Sequence, residues 1–334
     1  MEINSITGAV IHKLGDLDSI VIEQVPVPHL EDSQILVRME CAPINVSDIL
    51  KAMGNYSTTQ PNCILGIEGS GTVVKSGIDE YSQSLVAKRV AVTASVPRFG
   101  TFADYLVTSA FSAFPLKDHI TFEQGASLVI NPVTVAYMVK KIKEGNHTSV
   151  IINAAASALG KMLIRWCDLL NVATINLVRR QEQVDTLAGI GAKHIFNTSV
   201  PGWKEEAQSL TNQLGTKIGF DAIAGSATED MLQLLTEKGV VYVYGVLSGQ
   251  PAEGNPMTLA GGDKSIKGLM YGRMFKGLSI EQKLEIGNEI QDLIGDALKT
   301  DYQSEVALDD AKDALKQYAA KKTDSKYLVR VRRS

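Results

Sequence analysis

Residues 148–166 read Thr148-Ser149-Val150-Ile151-Ile152-Asn153-Ala154-Ala155-Ala156-Ser157-Ala158-Leu159-Gly160-Lys161-Met162-Leu163-Ile164-Arg165-Trp166. This is a short apolar run, a turn of small residues, and then apolar positions at helical spacing. The run TSVIIN (148–153) has the length and β-branched content of a buried strand. The segment LGKMLIRWCDLL (159–170) puts Leu159, Met162, Leu163, Trp166 and Leu170 on one face and predicts a helix. A dinucleotide pyrophosphate needs such a junction: a tight turn, close backbone approach, and a helix N-terminus aimed at the anion. Small residues meet that need. Ala158 and Gly160 stand where the fingerprint prefers glycine, so the motif is degenerate. Alone, such a turn serves close packing equally well, and its context has to decide.

The context is an alternation of strands and helices. Downstream come the strand segments VATINLV (172–178), KHIFN (193–197), GFDAIAG (219–225) and VVYVYGV (240–246), with IKGLMYG (266–272) as the last. Between them lie helical segments at 183–191, 204–214 and 228–239. Alternation of this kind predicts an α/β fold, a doubly wound parallel sheet with right-handed crossovers. Upstream, ILVRMECAPI (35–44), EGSGTVVKSG (68–77), KRVAVTASV (88–96) and TFADYLVTSA (101–110) predict a β-rich segment. Thr121 precedes a first helix and Asn131-Pro132 a second, from Val133 to Lys143. After about residue 279 come two helical stretches and a closing strand, KYLVRV (326–331), expected to return to the first domain. The division expected is a catalytic domain from 1–122 and 273–334 around a dinucleotide-binding domain at 123–272.

The second strand of the alternating region ends in Leu177-Val178-Arg179-Arg180, about 20 residues past the turn. An NAD-preferring fold carries Asp or Glu there, to bind the ribose 2′-OH. Arginine forks suit a 2′-phosphate instead. Arg179 and Arg180 therefore point to NADPH; the alternative is a solvated basic loop.

Composition removes other classes. A net charge of −4 favours neither nucleic acid nor an anionic membrane as partner. Three cysteines, Cys41, Cys63 and Cys167, with no CxxC, argue against a disulfide framework or a structural zinc lobe. No apolar run reaches the ~18 residues of a membrane span. The opening MEINSITGAVIHKLGD lacks the basic and apolar regions of a signal peptide. The expectation is a cytoplasmic protein, with an organellar location open if a presequence was removed.

With these segments in view, the chain resembles the medium-chain dehydrogenase/reductase superfamily over nearly its whole length, including LGIEGSGTVV (65–74), the alternating middle and the returning tail. The resemblance implies a GroES-like β-rich catalytic domain beside a Rossmann domain. Zinc-dependent members carry an early-loop cysteine, Gly-His-Glu and a four-cysteine lobe. Here those places read Asn45-Val46-Ser47-Asp48, Gly66-Ile67-Glu68, and a stretch from Val90 to Gly100 without cysteine, so no metal site is expected.

Two zinc-free branches are similar to this chain: quinone oxidoreductases and mitochondrial-type 2-enoyl thioester reductases. Gly54-Asn55-Tyr56, Asn131-Pro132-Val133-Thr134 and Tyr244-Gly245-Val246-Leu247 followed by Gln250-Pro251 resemble the second. The family's Phe-Trp segment reads Leu269-Met270-Tyr271 here.

The resemblance implies Tyr56 as proton donor. It implies cofactor contacts from Asn131, from Ala156, Ser157, Ala158, Leu159 and Gly160, from Arg179 and Arg180, from Tyr244, Gly245, Val246 and Leu247, and from Lys326. A phenol with pKa about 10 is protonated at neutral pH and can donate. Tyr56 could equally be a turn residue, Asn131 a helix cap, and Asp48 an N-cap for the residues after it. The expected activity is NADPH-dependent reduction of an activated C=C bond, most simply of a 2-enoyl thioester. The alternatives are reduction of a quinone or enone, and NADPH binding without catalysis. The expected partners are a small-molecule acceptor and a second copy of the chain, paired through the edge strand at IKGLMYG.

Overall fold

The computed structural model describes residues 3–56, 59–321 and 326–331. Backbone packing divides the chain into two units, Met1–Asn131 with Leu278–Ser334, and Pro132–Gly277.

The first unit opens with β1 (Ser5–Ile11) and β2 (Ile20–Pro26), an antiparallel pair, followed by β3 (Gln34–Pro43) and α1 (Val46–Ala52). Then come β4 (Cys63–Ile64), β5 (Glu68–Ser76), α2 (Glu80–Ser84), β6 (Arg89–Thr93), β7 (Tyr105–Ser109), β8 (Ala113–Pro115) and α3 (Phe122–Ala126). β3 is the centre of this unit: it pairs antiparallel with β5 and with β7 over Gln34–Arg38. Helix α3 starts where the sequence predicts: Gln124 N donates to Thr121 Oγ1, and Thr121 N donates to Gln124 Oε1, a reciprocal cap.

Helix α4 (Ile130–Glu144) starts earlier than the sequence suggests. Asn131 is its second residue and not its cap. The amides of Val129 and Ile130 donate instead to Glu68 Oε2, at 3.1 and 2.9 Å. A carboxylate at that end satisfies orphan N–H groups and complements the helix dipole. Pro132 fits the first turn because its missing N–H has no helical acceptor there.

The second unit alternates as expected: β9 (Ser149–Ile152), α5 (Ala158–Leu169), β10 (Ala173–Val178), α6 (Gln181–Gly189), β11 (His194–Asn197), α7 (Trp203–Leu214), β12 (Ile218–Asp221), α8 (Ser226–Leu234), β13 (Val240–Val243), α9 (Pro256–Gly261) and β14 (Ser265–Gly268). All the pairings are parallel, in the order β11-β10-β9-β12-β13-β14. Strand order reverses between β9 and β12, the point where a doubly wound sheet opens a crevice at its carboxyl end. β9 and β12 are buried throughout, as helices on both faces require. Ile151, Ile175, Met231, Leu232 and Val241 lead the core beneath them.

Three strands are shorter than their apolar runs. β12 stops at Asp221, β13 at Val243 and β14 at Gly268, with a 3-10 turn (Tyr271–Phe275) where the last run continues. The residues beyond β12 and β13 spend their amides on loop–loop bonds instead of ladders.

The tail rejoins the first unit. After α10 (Ile280–Leu293), β15 (Ser304–Ala307) and α11 (Ala311–Lys321), β16 (Tyr327–Arg330) pairs antiparallel with β3 at Cys41–Pro43 and parallel with β15. The molecule thus combines a GroES-like β-rich domain with a Rossmann domain. Among the described residues no helix is long and apolar enough to cross a membrane.

Candidate functional site

In the second unit the residues singled out from sequence gather at the carboxyl ends of neighbouring strands. After β9 the chain turns at Ala154, whose φ of 46° is left-handed, and enters α5 with Ser157 as N-cap. Gly160 N donates to Ser157 Oγ at 3.1 Å. Gly160 is required by contact: a Cβ there would lie 2.3 Å from the Ala155 carbonyl oxygen. Leu159 and Gly160 are buried beneath the turn, while Ala156, Ser157 and Ala158 are partly exposed. Helix geometry leaves the first amides of α5 outside the helical ladder, where an anion can take them.

Arg179 and Arg180 follow β10 and are both exposed. Their backbone is held: Arg179 N donates to Gln183 Oε1 at 3.1 Å, and Ser199 Oγ donates to Arg179 O at 2.8 Å. Arg180 lies 3.9 Å from Glu182, an exposed pair of little energetic weight.

Residues 244–248 leave β13 as a loop pinned to the turn after β12. Tyr244 N donates to Asp221 O, Leu247 N to Ala222 O and Ser248 N to Ile223 O, at 2.9, 3.1 and 2.9 Å. Gly245 passes so close to that turn that a Cβ would meet Ala222 O at 2.6 Å. The Tyr244 hydroxyl is buried with no partner among the described residues, and burial, then the Asp221 carboxylate, pushes its pKa up.

The first unit holds the other group. Asn45 is the N-cap of α1, and its amide donates to Asp48 Oδ2 at 2.7 Å. Asp48 is therefore not the cap that the sequence allowed; it is the third helical residue reaching back. Asn45 Nδ2 donates to Glu68 Oε1 at 3.0 Å, and Lys326 Nζ donates to Asn45 Oδ1. Asp48 and Glu68 are 0% exposed and Lys326 is 6% exposed. The result is a buried relay from the closing strand, through α1 and β5, to the start of α4. Burial raises Glu68 against the pull of Lys326, and lowers Lys326 against the pull of Glu68 and Asp48.

Lys326, expected among cofactor contacts, thus has its ammonium committed inside the first unit. Tyr56 follows α1 and is 37% exposed. Burial raises its pKa first and the charge of Asp48 second. Asn131 sits next to the Ile130 amide that Glu68 holds.

The sequence did not single out Glu68, Asn153 or Asp221 as working residues. Glu68 was visible as the last residue of Gly66-Ile67-Glu68, but its partners are distant in sequence. Among the described residues no three of His, Cys, Asp and Glu gather as metal ligands.

A family model of the alcohol dehydrogenase GroES-like domain matches residues 31–118, and one of the zinc-binding dehydrogenases matches 158–284. The chain belongs to the medium-chain dehydrogenase/reductase superfamily. It is 29% identical over 246 residues to a mitochondrial enoyl-[acyl-carrier-protein] reductase of Arabidopsis thaliana, covering 71% of this chain and 64% of that one. The chain thus spans less than two thirds of that relative. It is 25% identical over 254 residues to a 2-haloacrylate reductase of a Burkholderia species, covering 73% of this chain and 74% of the other. A solved structure from Mesorhizobium loti, provisionally named an NADPH:quinone reductase, is 26% identical with a TM-score of 0.86, covering 99% of this chain and 100% of its own.

The buried relay makes stability depend on pH. Burial pushes Asp48 from 3.8 up to about 7, opposed by the Asn45 amide and by Lys51 and Lys326. The unfolded chain ionises this carboxyl near 3.8 while the folded chain keeps its proton to about 7, so stability falls as pH rises through that window. Asp48→Asn removes that linkage. Calorimetry will show its melting temperature close to wild type near pH 4 and above it at neutral pH, by up to about 4 kcal/mol of stability. A variant whose Tm tracks the wild type across the window contradicts this account.

Proposed function

We propose that this chain is an NADPH-dependent reductase of an activated carbon–carbon double bond, acting on a 2-enoyl thioester. Pro132–Gly277 serves as the dinucleotide-binding domain, and Met1–Asn131 with Leu278–Ser334 as the catalytic domain.

The residues present fit the cofactor. The turn at 154–160 carries only small side chains up to Ala158, and Gly160 and Gly245 allow chain packing that a Cβ would block, at 2.3 Å from Ala155 O and 2.6 Å from Ala222 O. Two exposed arginines at the end of β10 supply forked donors where an acidic residue would repel a 2′-phosphate. NADPH held there supplies the hydride that reduces the β-carbon.

The remaining work falls to the chain's own groups. The observation that carries the reading is Tyr56: a partly exposed phenol whose pKa burial raises, so that it holds its proton at neutral pH and can give it to the α-carbon. The relay of Lys326, Asn45 and Glu68 fixes the start of α4 and with it Asn131, assigned here to orienting the cofactor.

The relatives support this assignment, since an enoyl reductase and a haloacrylate reductase both bear names of acceptors with activated double bonds. A quinone is the second acceptor class, favoured by the Mesorhizobium loti structure. Hydride chemistry is common to both, and pocket shape separates them. The same reading places the protein in the cytoplasm as a homodimer, paired through β14 at the edge of the six-stranded sheet.

Three outcomes follow. Crotonyl-CoA is turned over faster than a soluble quinone, and Tyr56→Phe lowers kcat on it by about 10²-fold or more; an unchanged kcat removes Tyr56 from the mechanism. Wild type prefers NADPH to NADH, and Arg179→Glu with Arg180→Glu abolishes that preference by raising KM for NADPH; a preference that survives assigns it elsewhere. Light scattering gives twice the chain mass, and a monomer overturns the pairing through β14.

A further inference from the structure

The reversal of strand order between β9 and β12 contains a polar pair that the proposed chemistry does not use. Gly219 pairs with Ile151 and Phe220 with Ile152, so Asn153 and Asp221 are neighbours one residue beyond the ladder. Both are buried, at 2% and 0% exposure. Asn153 Nδ2 donates to Asp221 Oδ1 at 2.6 Å, and Ala222 N donates to Asn153 Oδ1 at 2.7 Å. Asp221 Oδ1 also accepts from the amides of Ile223 and Ala224, at 2.7 and 3.0 Å, and Oδ2 accepts from Thr228 Oγ1 at 2.6 Å.

This pair joins the two loops that flank the switch point. Asn153 precedes Ala154, with φ of 46°, and Asp221 is followed by Ala224, with φ of 63°. Alanine in the left-handed region is strained, and it persists where its surroundings over-determine it. After β12 that determination comes from Asp221, whose Oδ1 accepts the amides of Ile223 and Ala224. The turn after β12 then carries residues 244–248 through bonds to Asp221 O, Ala222 O and Ile223 O. One side-chain contact therefore registers the turn at 154–157 against the loop at 244–247.

Strand order gives that registration a use. Arg179 and Arg180 follow β10, the small-residue turn follows β9, and residues 244–247 follow β13. Three strand spacings separate β10 from β13, roughly 14 Å. A dinucleotide laid across these ends puts its 2′-phosphate at the arginines, its pyrophosphate at the turn, and its nicotinamide half at 244–247. The distance from pyrophosphate to nicotinamide crosses the β9–β12 seam that Asn153 and Asp221 close.

We propose that Asn153 and Asp221 are positioning residues that hold the pyrophosphate turn in register with the loop receiving the nicotinamide half of NADPH. The proposal rests on the cofactor reading above, and the ligands chosen to test it separate the two. NADP⁺ spans the seam. Adenosine 2′,5′-bisphosphate carries the phosphates for the arginines and the turn but has no nicotinamide half, so it stays on one side.

Isothermal titration of Asn153→Ala is expected to show NADP⁺ affinity weakened by about tenfold, with the affinity for adenosine 2′,5′-bisphosphate unchanged. Asp221→Asn, which keeps the shape of the pair and an acceptor oxygen, gives the same split if Asn153→Ala does not fold. Equal losses for both ligands make the pair a general structural support and overturn the proposal, as does unchanged NADP⁺ affinity. A wild-type chain that binds neither ligand refutes the cofactor reading itself, and the inference falls with it.

Discussion

The carbonyl oxygen of Ala155 lies 2.3 Å from where a side chain at position 160 would begin. That contact sets how closely α5 follows the turn after β9. The first amides of the helix are thereby placed at the sheet's carboxyl edge, where the partly exposed side chains of Ala156, Ser157 and Ala158 are small. The left-handed Ala154 and the Ser157 cap serve the same close approach. Anion binding at such an edge depends on fixed N–H groups and on the absence of side chains more than on any single charged residue.

The first unit is organised around buried charge. Lys326, Glu68 and Asp48 are withdrawn from water and are tied together through Asn45 and the amides at the start of α4. Burying ionisable groups is costly unless each is bonded, and removing one partner strands the rest. The return of the tail therefore does more than add β16: Lys326, immediately before that strand, brings the ammonium that balances Glu68. A closing strand with an apolar residue at that position would satisfy the ladder and leave a carboxylate uncompensated.

The two units divide the proposed chemistry by physical type. The Rossmann unit offers backbone dipoles and guanidinium forks, suited to holding a phosphorylated cofactor in one orientation. The β-rich unit offers a phenol beside a buried carboxyl, suited to moving a proton. The fold itself is shared by members acting on different acceptors, so the fold does not choose the acceptor.

Much of this was legible in the sequence. Periodicity alone marked the strand–helix alternation from Thr148 onward, because an amphipathic helix and a buried strand each leave a local pattern. The cap at Thr121, the small-residue turn and the arginines after β10 were equally local. The resemblance to known families supplied Tyr56 and the segment at 244–247.

The long-range relations were not visible. GFDAIAG reads as one strand, yet β12 ends at Asp221, because a carboxylate that accepts the amides of Ile223 and Ala224 bends the chain after it. Asp48 read as a possible cap for the residues after it, and only the geometry of α1 shows that Asn45 is the cap and Asp48 the third helical residue. Glu68 gave no sign of its role, since its partners come from positions 45, 129, 130 and, through Asn45, 326. Sequence by itself determined the strand–helix alternation of the second unit and the β-rich character of the first, because those depend on neighbours a few residues away; elements such as β1, β2, β8 and α9 were not read from it. Tertiary structure decided which polar groups are buried together, because hydrogen-bond partners are chosen by strand register and tail return, and neither leaves a local pattern.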